Sequence, residues 1–308
     1  MQVWPRQVVR AQAIVAAGAG VAVAAMAVAI STVVWAAAIG PAFGAWWWHH
    51  STRRYRVRRA LVAAPFPAQW REVLQEKVGF YRRLGAAGRA RFETDVTIFL
   101  AEQHIVGPQE SEVPEETRVL IAAAAAMLGH GRPAWEWPTH RDIIVHITNF
   151  NEDYEPGDHH DIAGMVHHQG PVLLSRKQLR RGFKKASDGE NVALHELAHV
   201  IDMADGVADG APSIWATMPG WDALVQARIK QIRRGHSGTK GRGGKNPPLR
   251  AYAGTNEAEL FAVAVEAFFE TPDRLRKRDP DLYQRLEVFF NLDPTTGEQL
   301  GPDHSARK

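Results

Sequence analysis

Two histidines four residues apart with a glutamate after the first, His195, Glu196 and His199, have the spacing of a metal centre. They form HELAH inside NVALHELAHVIDMADG, Asn191 to Gly206. On a helix, positions four apart share a face, so the two imidazoles can aim ring nitrogens at one point about 2 Å from each, as zinc requires. Glu196 is displaced around the axis. It is placed to take a proton from a zinc-bound water rather than to ligate. In a chain with 14 histidines among 308 residues the five-residue pattern alone is a weak signal, and its surroundings must carry the argument.

A helix is expected from near Gly189, capped by Asp188 and ended by Gly206. Val192, Ala193, Leu194, Leu197, Ala198, Val200, Ile201 and Met203 surround its axis, so it must be buried. Its polar exceptions are His195, Glu196, His199 and Asp202. Burying four polar groups is costly unless each has a partner, and a metal ion satisfies several together. A catalytic zinc also needs a third protein ligand and an open position. Asp202 lies on the histidine face, but so close on the same helix that it better suits orienting one of them. The stronger source is TNEAELFAVAVEAFFETP, Thr255 to Pro272, which reads as a second apolar helix capped at Thr255 or Asn256 and stopped ahead of Pro272. Its carboxylates Glu259 and Glu266 are seven apart on one face. Packed on the first helix, one of them would complete a His, His, Glu site, and spacing leaves Glu259, Glu266 and Asp202 as rivals for it.

The elements that must position these groups are mostly helical. Apolar residues recur at helical spacing from Trp70 to about Leu84, from Ala87 to His104 and from Pro114 to Leu128. IIVHI, Ile143 to Ile147, is short, apolar and β-branched and reads as a strand. GPVLLS, Gly170 to Ser175, reads as another, with Pro171 where a missing N–H matters least. The run Lys230 to Arg250 is rich in basic residues, glycine and proline and reads as a flexible loop, with 236–250 a candidate gate to the site. The tandem pairs His159, His160 and His167, His168 suggest a polar loop, or a second metal site to which only one of each pair could contribute.

Composition narrows the chemistry further. There are no cysteines, which excludes disulfides, cysteine nucleophiles and thiolate zinc sites. The net charge of +3 is concentrated in two local clusters, Arg53 to Arg59 and Lys230 to Arg250, so no nucleic-acid partner is expected. From Ala13 to Ile39 no residue is charged, an apolar run longer than the roughly 20 residues that cross a bilayer. A cleavable signal peptide is the rival reading, but its apolar core spans only about 7 to 15 residues. Trp46, Trp47 and Trp48 and then five arginines follow the run, against Arg6 and Arg10 before it. Aromatic belt and positive charge predict a single-pass membrane protein with the following domain on the cytoplasmic side. The expected organisation is an anchor over 1–48, a basic juxtamembrane linker over 49–67, a catalytic domain over 68–295 and a tail over 296–308.

Taken together, GPVLLS, NVALHELAHVID, DGVADGAP (Asp205 to Pro212) and YAGTNEAELFAVAVEAFF (Tyr252 to Phe269) resemble the Mlc titration factor A family of zinc peptidases. The similarity extends more loosely from about Trp70 to Phe290 and omits the membrane segment. It implies an α+β fold, a mainly helical zincin-like domain with a small sheet. It also implies a Zn2+ cofactor held by His195, His199 and Glu259, with Glu196 as base and Tyr252 as the residue stabilising the oxyanion. Two departures, Arg176 where the family has tryptophan and VHITNF (Val145 to Phe150) where it has Tyr-Pro, fall on the substrate groove.

The reaction implied is hydrolysis of a peptide or protein substrate by a zinc-activated water, with Glu196 moving the proton to the leaving amine. A strand such as Val172 to Ser175 is expected to offer an edge to an extended peptide. The resemblance also implies a different role, because the family was identified through binding a transcriptional repressor. In that reading the chain is a membrane-tethered partner that sequesters a transcriptional regulator, and zinc supports the fold.

Overall fold

The computed structural model describes residues 1–30, 39–139, 141–151, 162–166, 170–185, 188–207, 209–212, 220–237 and 249–300. The His159, His160, His167 and His168 pairs lie outside these residues. Contacts divide the chain into Gln2–Pro65 and a main unit beginning at Phe66.

In the N-terminal unit, α1 (Arg6–Ile30) has 25 residues, about 37 Å of helix and enough to cross a bilayer. Where one uninterrupted span over Ala13 to Ile39 was expected, α2 (Ile39–Ser51) folds back on α1. A Cβ on Gly20 would lie 2.8 Å from the Gly40 carbonyl oxygen, and one on Gly44 would lie 2.9 Å from that of Ala16. Rising numbers in α2 meet falling numbers in α1, so the pair is antiparallel, and only glycine lets the backbones approach this closely. The expected juxtamembrane linker is also largely helical, as α3 (Arg53–Ala63).

The main unit begins with α4 (Ala68–Lys77) and α5 (Gly79–Arg83), where one helix over Trp70 to Leu84 was expected. Extended backbone at Val78, φ −105° and ψ 97°, separates them. Next come α6 (Ala86–Glu102), β1 (Ile105–Val106), and α7 (Glu115–Gly129), which is buried without interruption from Val119 to Gly129. A four-stranded sheet follows in the order β1-β2-β4-β3, with β2 Ile143–His146, β3 Gly164–Val166 and β4 Val172–Ser175. The first three in that order run parallel and β3 runs antiparallel to β4. The expectation that Val172–Ser175 is the edge is therefore corrected. β4 is paired on both sides and buried throughout, as its unbroken apolar run requires. The edges are β1 and β3, and β3 is the one that packs on the HELAH helix.

Ser175 caps α8 (Arg176–Lys184), and its hydroxyl donates to Asn149 Oδ1 at 3.0 Å, so the two stretches that depart from the family touch each other. The HELAH helix is α9 (Val192–Asp202). Its cap is Asn191, whose side chain accepts from the amides of Ala193 and Leu194, and not Asp188. A short 3₁₀ turn carries it to Gly206, whose φ of +96° ends it in the left-handed form that glycine tolerates. The helix α10 (Trp221–Ser237) takes up Lys230 to Ser237, which was expected to be loop; 238–248 lie outside the described residues. After it come α11 (Glu257–Glu270), capped by Asn256, then α12 (Pro272–Arg278) and α13 (Pro280–Phe290).

The core explains why α9 is held so firmly. It packs on α7, α11, β3 and β4, and behind α11 the rings of Phe261, Phe268, Phe269, Phe289 and Phe290 interlock at centroid distances of 5.0 to 5.7 Å. Each buried ring contributes about 1.5 to 3 kcal/mol. The architecture is the mainly helical α+β fold with a small sheet that the sequence predicts.

Candidate metal centre

His195 and His199 project from one face of α9, and Asn256 fixes the start of α11 so that Glu259 meets them. The Asn256 side chain accepts the Glu259 amide at 2.9 Å. A second tie joins the same two helices. Asp202 Oδ2 accepts the amide of Gly210 at 2.9 Å, and Gly210 (φ +71°) lies so close to Glu257 and Ala258 that a Cβ would overlap their backbone.

The separations are His195 Nε2 to His199 Nε2 3.3 Å, His195 Nε2 to Glu259 Oε2 3.0 Å and His199 Nε2 to Glu259 Oε2 3.7 Å. Among the described residues this trio is the group with metal-ligand geometry. The three distances are the sides of a triangle whose circumscribed circle has a radius of about 2 Å, the length of a zinc–nitrogen or zinc–oxygen bond. Two neutral imidazoles and a carboxylate, with no thiolate, are a donor set that zinc accepts. The residues present fit the ion.

The three rival carboxylates take different places. Glu259 converges with both Nε2 atoms. Glu266 stands behind His195, its Oε2 3.4 Å from Nδ1 and its Oε1 accepting the Asn191 amide at 2.9 Å. Asp202 is occupied with Gly210, and burial pushes its carboxyl up to about 7. Burial opposes charge on His195, but the hydrogen bonds of Glu259 and Glu266 outweigh it and raise its pKa. Burial likewise works against the Glu259 carboxylate, and the two histidines overcome it and hold its pKa well below the ordinary range. A cluster that holds positive charge this firmly is one a cation can enter.

Glu196 is buried beside them, and burial pushes its carboxyl up to about 7 against the pull of His195 and His199. Its carboxylate lies against Gly164 of β3, where any Cβ would overlap it. Tyr252 is half exposed, its ring 5.9 Å from that of His195, and burial and Glu259 push its phenol up to about 12. Arg250 lies over the Tyr252 ring at 5.8 Å and pairs with Glu266 at 2.7 Å. Together these groups line a cleft of about 670 Å³, with β3 along one side and Gln178 and Arg181 of α8 further out.

Sequence reasoning missed Arg250 and Gly164. Arg250 lay at the end of a basic run that reads as solvated, and its one signal was its position two residues before Tyr252. Gly164 carried no local signal, because its contact with Glu196 exists only once the sheet has formed.

The chain is similar to several known proteins over most of its length. An uncharacterised protein of Synechocystis sp. is 26% identical over 255 residues, covering 77% of this chain and 88% of its own. Mlc titration factor A of Escherichia fergusonii is 30% identical over 224 residues, 68% of this chain and 80% of its own. That of Salmonella paratyphi A is 29% identical over 241 residues, 71% and 85% of the two chains. The family model for glucose-regulated metallo-peptidase M90 matches residues 51–291, from the helices ahead of the sheet through the end of α13, with HELAH and the Glu259 helix inside it. The chain belongs to the M90 family of glucose-regulated metallopeptidases.

Proposed function

We propose that the chain is a membrane-anchored, zinc-dependent peptidase that hydrolyses peptide bonds. The observation that supports this most is the convergence of His195 Nε2, His199 Nε2 and Glu259 Oε2 beside a buried Glu196 in an open cleft. In this reading those three atoms hold the metal. When bound, zinc supplies Lewis acidity that lowers the pKa of water toward about 7 and polarises a carbonyl oxygen.

The chain's own residues do the rest. Glu196 takes the proton of the attacking water on its carboxylate and delivers it to the leaving amine nitrogen, from a buried position beside the two histidines and the cleft. Tyr252 keeps its proton and donates it as a hydrogen bond to the developing oxyanion. Glu266, itself gripped by Arg250, fixes the His195 ring through Nδ1 so that Nε2 faces the cleft. The free edge of β3 pairs with the main chain of an extended substrate and sets its scissile carbonyl within reach of the water that Glu196 deprotonates.

The test is zinc content together with cleavage of a peptide library by the wild type and Glu196→Gln. Full zinc with cleavage lost is the expected result, and intact cleavage with zinc bound would overturn the mechanism. The arginines after the apolar helices favour the cytoplasmic side for the domain. A second reading rests on the relatives named as titration factors for Mlc: the chain binds and sequesters a transcriptional regulator. Pull-down of candidate regulators with Glu196→Gln separates the two, since binding without cleavage would survive that change.

A further inference from the structure

We propose that the N-terminal unit enters the lipid bilayer as a helical hairpin, with Arg6 and Arg10 on the same face of the membrane as Arg53 to Arg59. The inference rests on the membrane anchoring proposed above and replaces a single crossing by a return.

Four observations within that unit support it. First, α2 runs antiparallel to α1 through the glycine contacts, so Gly40 lies beside Gly20 and Ala24, Gly44 beside Ala16, and Trp48 shares a groove with Ala13. By Ser51 the chain has returned to the level of the first turns of α1. Second, the two ends touch. Arg58 Nη1 donates to the Gln2 carbonyl at 2.7 Å, and the Arg59 guanidinium stands 4.9 Å above the ring of Trp4.

Third, the charges fall at one end. No Asp, Glu, Lys or Arg occurs from Ala11 to Thr52, while arginines flank that run on both sides. A single crossing would set Arg6 and Arg10 against the five later arginines, and one group would have to be outside. A hairpin places all seven on the positive side of the membrane without conflict. Fourth, α1 and α2 carry large apolar side chains that are exposed, including Ile14, Met26, Ile39 and Trp46. Together with the 25-residue length of α1, an uncharged apolar exterior of this kind fits hydrocarbon rather than water. Backbone contact through Gly20, Gly40 and Gly44 is how helices associate where lipid removes the hydrophobic drive.

The absence of cysteine makes the test direct. Gln7→Cys and Ala63→Cys, each in the otherwise cysteine-free full chain, are expressed in cells and treated with a membrane-impermeant maleimide before or after lysis. Both positions are exposed. The hairpin predicts that both are protected in intact cells and both react after lysis. Reaction of Gln7→Cys in intact cells with Ala63→Cys protected would establish a single crossing and overturn the hairpin. Alkaline carbonate extraction separates this from failure of the anchoring itself: release of the chain into the soluble fraction would overturn both.

Discussion

Glu266 stands 3.4 Å from Nδ1 of His195, on the far side of the ring from Glu259. One histidine is thus held between two carboxylates from the same helix, one facing the cleft and one in the core. Glu266 is 1% exposed and is gripped in turn by Arg250 and the Asn191 amide. Glu266→Gln keeps an acceptor for Asn191 but removes the charge that orients His195. Zinc affinity is expected to fall about 10- to 100-fold with the fold retained, measured by competition with a chromophoric chelator. Unchanged affinity would remove Glu266 from the site's support.

Glu259→Ala is the sharper change. It deletes the one carboxylate that meets both Nε2 atoms. Bound zinc should drop from one equivalent to well below one, as read by elemental analysis after dialysis. Chelation of the wild type should lower its Tm, because at free zinc about 100 times Kd binding stabilises by about 2.7 kcal/mol.

Gly164 carries no function of its own, yet any side chain there meets Glu196. Gly164→Ala should displace the carboxylate, lowering kcat by at least about 10-fold, while His195, His199 and Glu259 still hold zinc. The measurement is kcat together with zinc content; loss of both together would point instead to disruption of the sheet.

Tyr252→Phe removes only the phenol hydroxyl from a half-exposed ring. Loss of one oxyanion donor costs about 100- to 1000-fold in kcat. KM, zinc content and Tm should stay near wild type, and an unchanged kcat would assign Tyr252 to packing.

Glu270 predicts a pH dependence of stability. Burial pushes its carboxyl from 4.5 up to about 8, although the Asn191 side chain, donating at 3.0 Å, opposes the shift. Between those values the folded chain keeps a proton that the unfolded chain has released. The contribution is therefore complete below about pH 4.5 and is lost as pH rises through about 8. Glu270→Gln, neutral and still able to accept from Asn191, should flatten this fall. It should stabilise the solubilised chain by roughly 1 to 3 kcal/mol at about pH 9, read by urea unfolding at several pH values.

The pattern of residue types in the sequence determined a good deal. HELAH, the apolar surround of its helix and the absence of cysteine point to a His-based candidate metal centre from sequence alone, because helical periodicity is local. The mainly helical α+β class followed from the same periodicity. Boundaries that depend on competing partners did not. Asn191 rather than Asp188 caps α9, since the helix begins where packing on α7 and α11 begins. Lys230 to Ser237, polar by composition, is helix because it continues α10.

Only the tertiary structure decided which carboxylate faces the cleft. Glu259 and Glu266 are equivalent in a helical wheel, seven residues and nearly two turns apart. They differ because α9 meets the first turns of α11 at His195 and His199, leaving Glu266 one ring deeper. The edge of the sheet and the return of α2 along α1 were likewise invisible. Each depends on contact between segments distant in sequence: β3 inserted after β2 in the chain but placed beyond β4, and Gly40 seated on Gly20. Periodicity shows which face of an element is buried, and only packing shows against what.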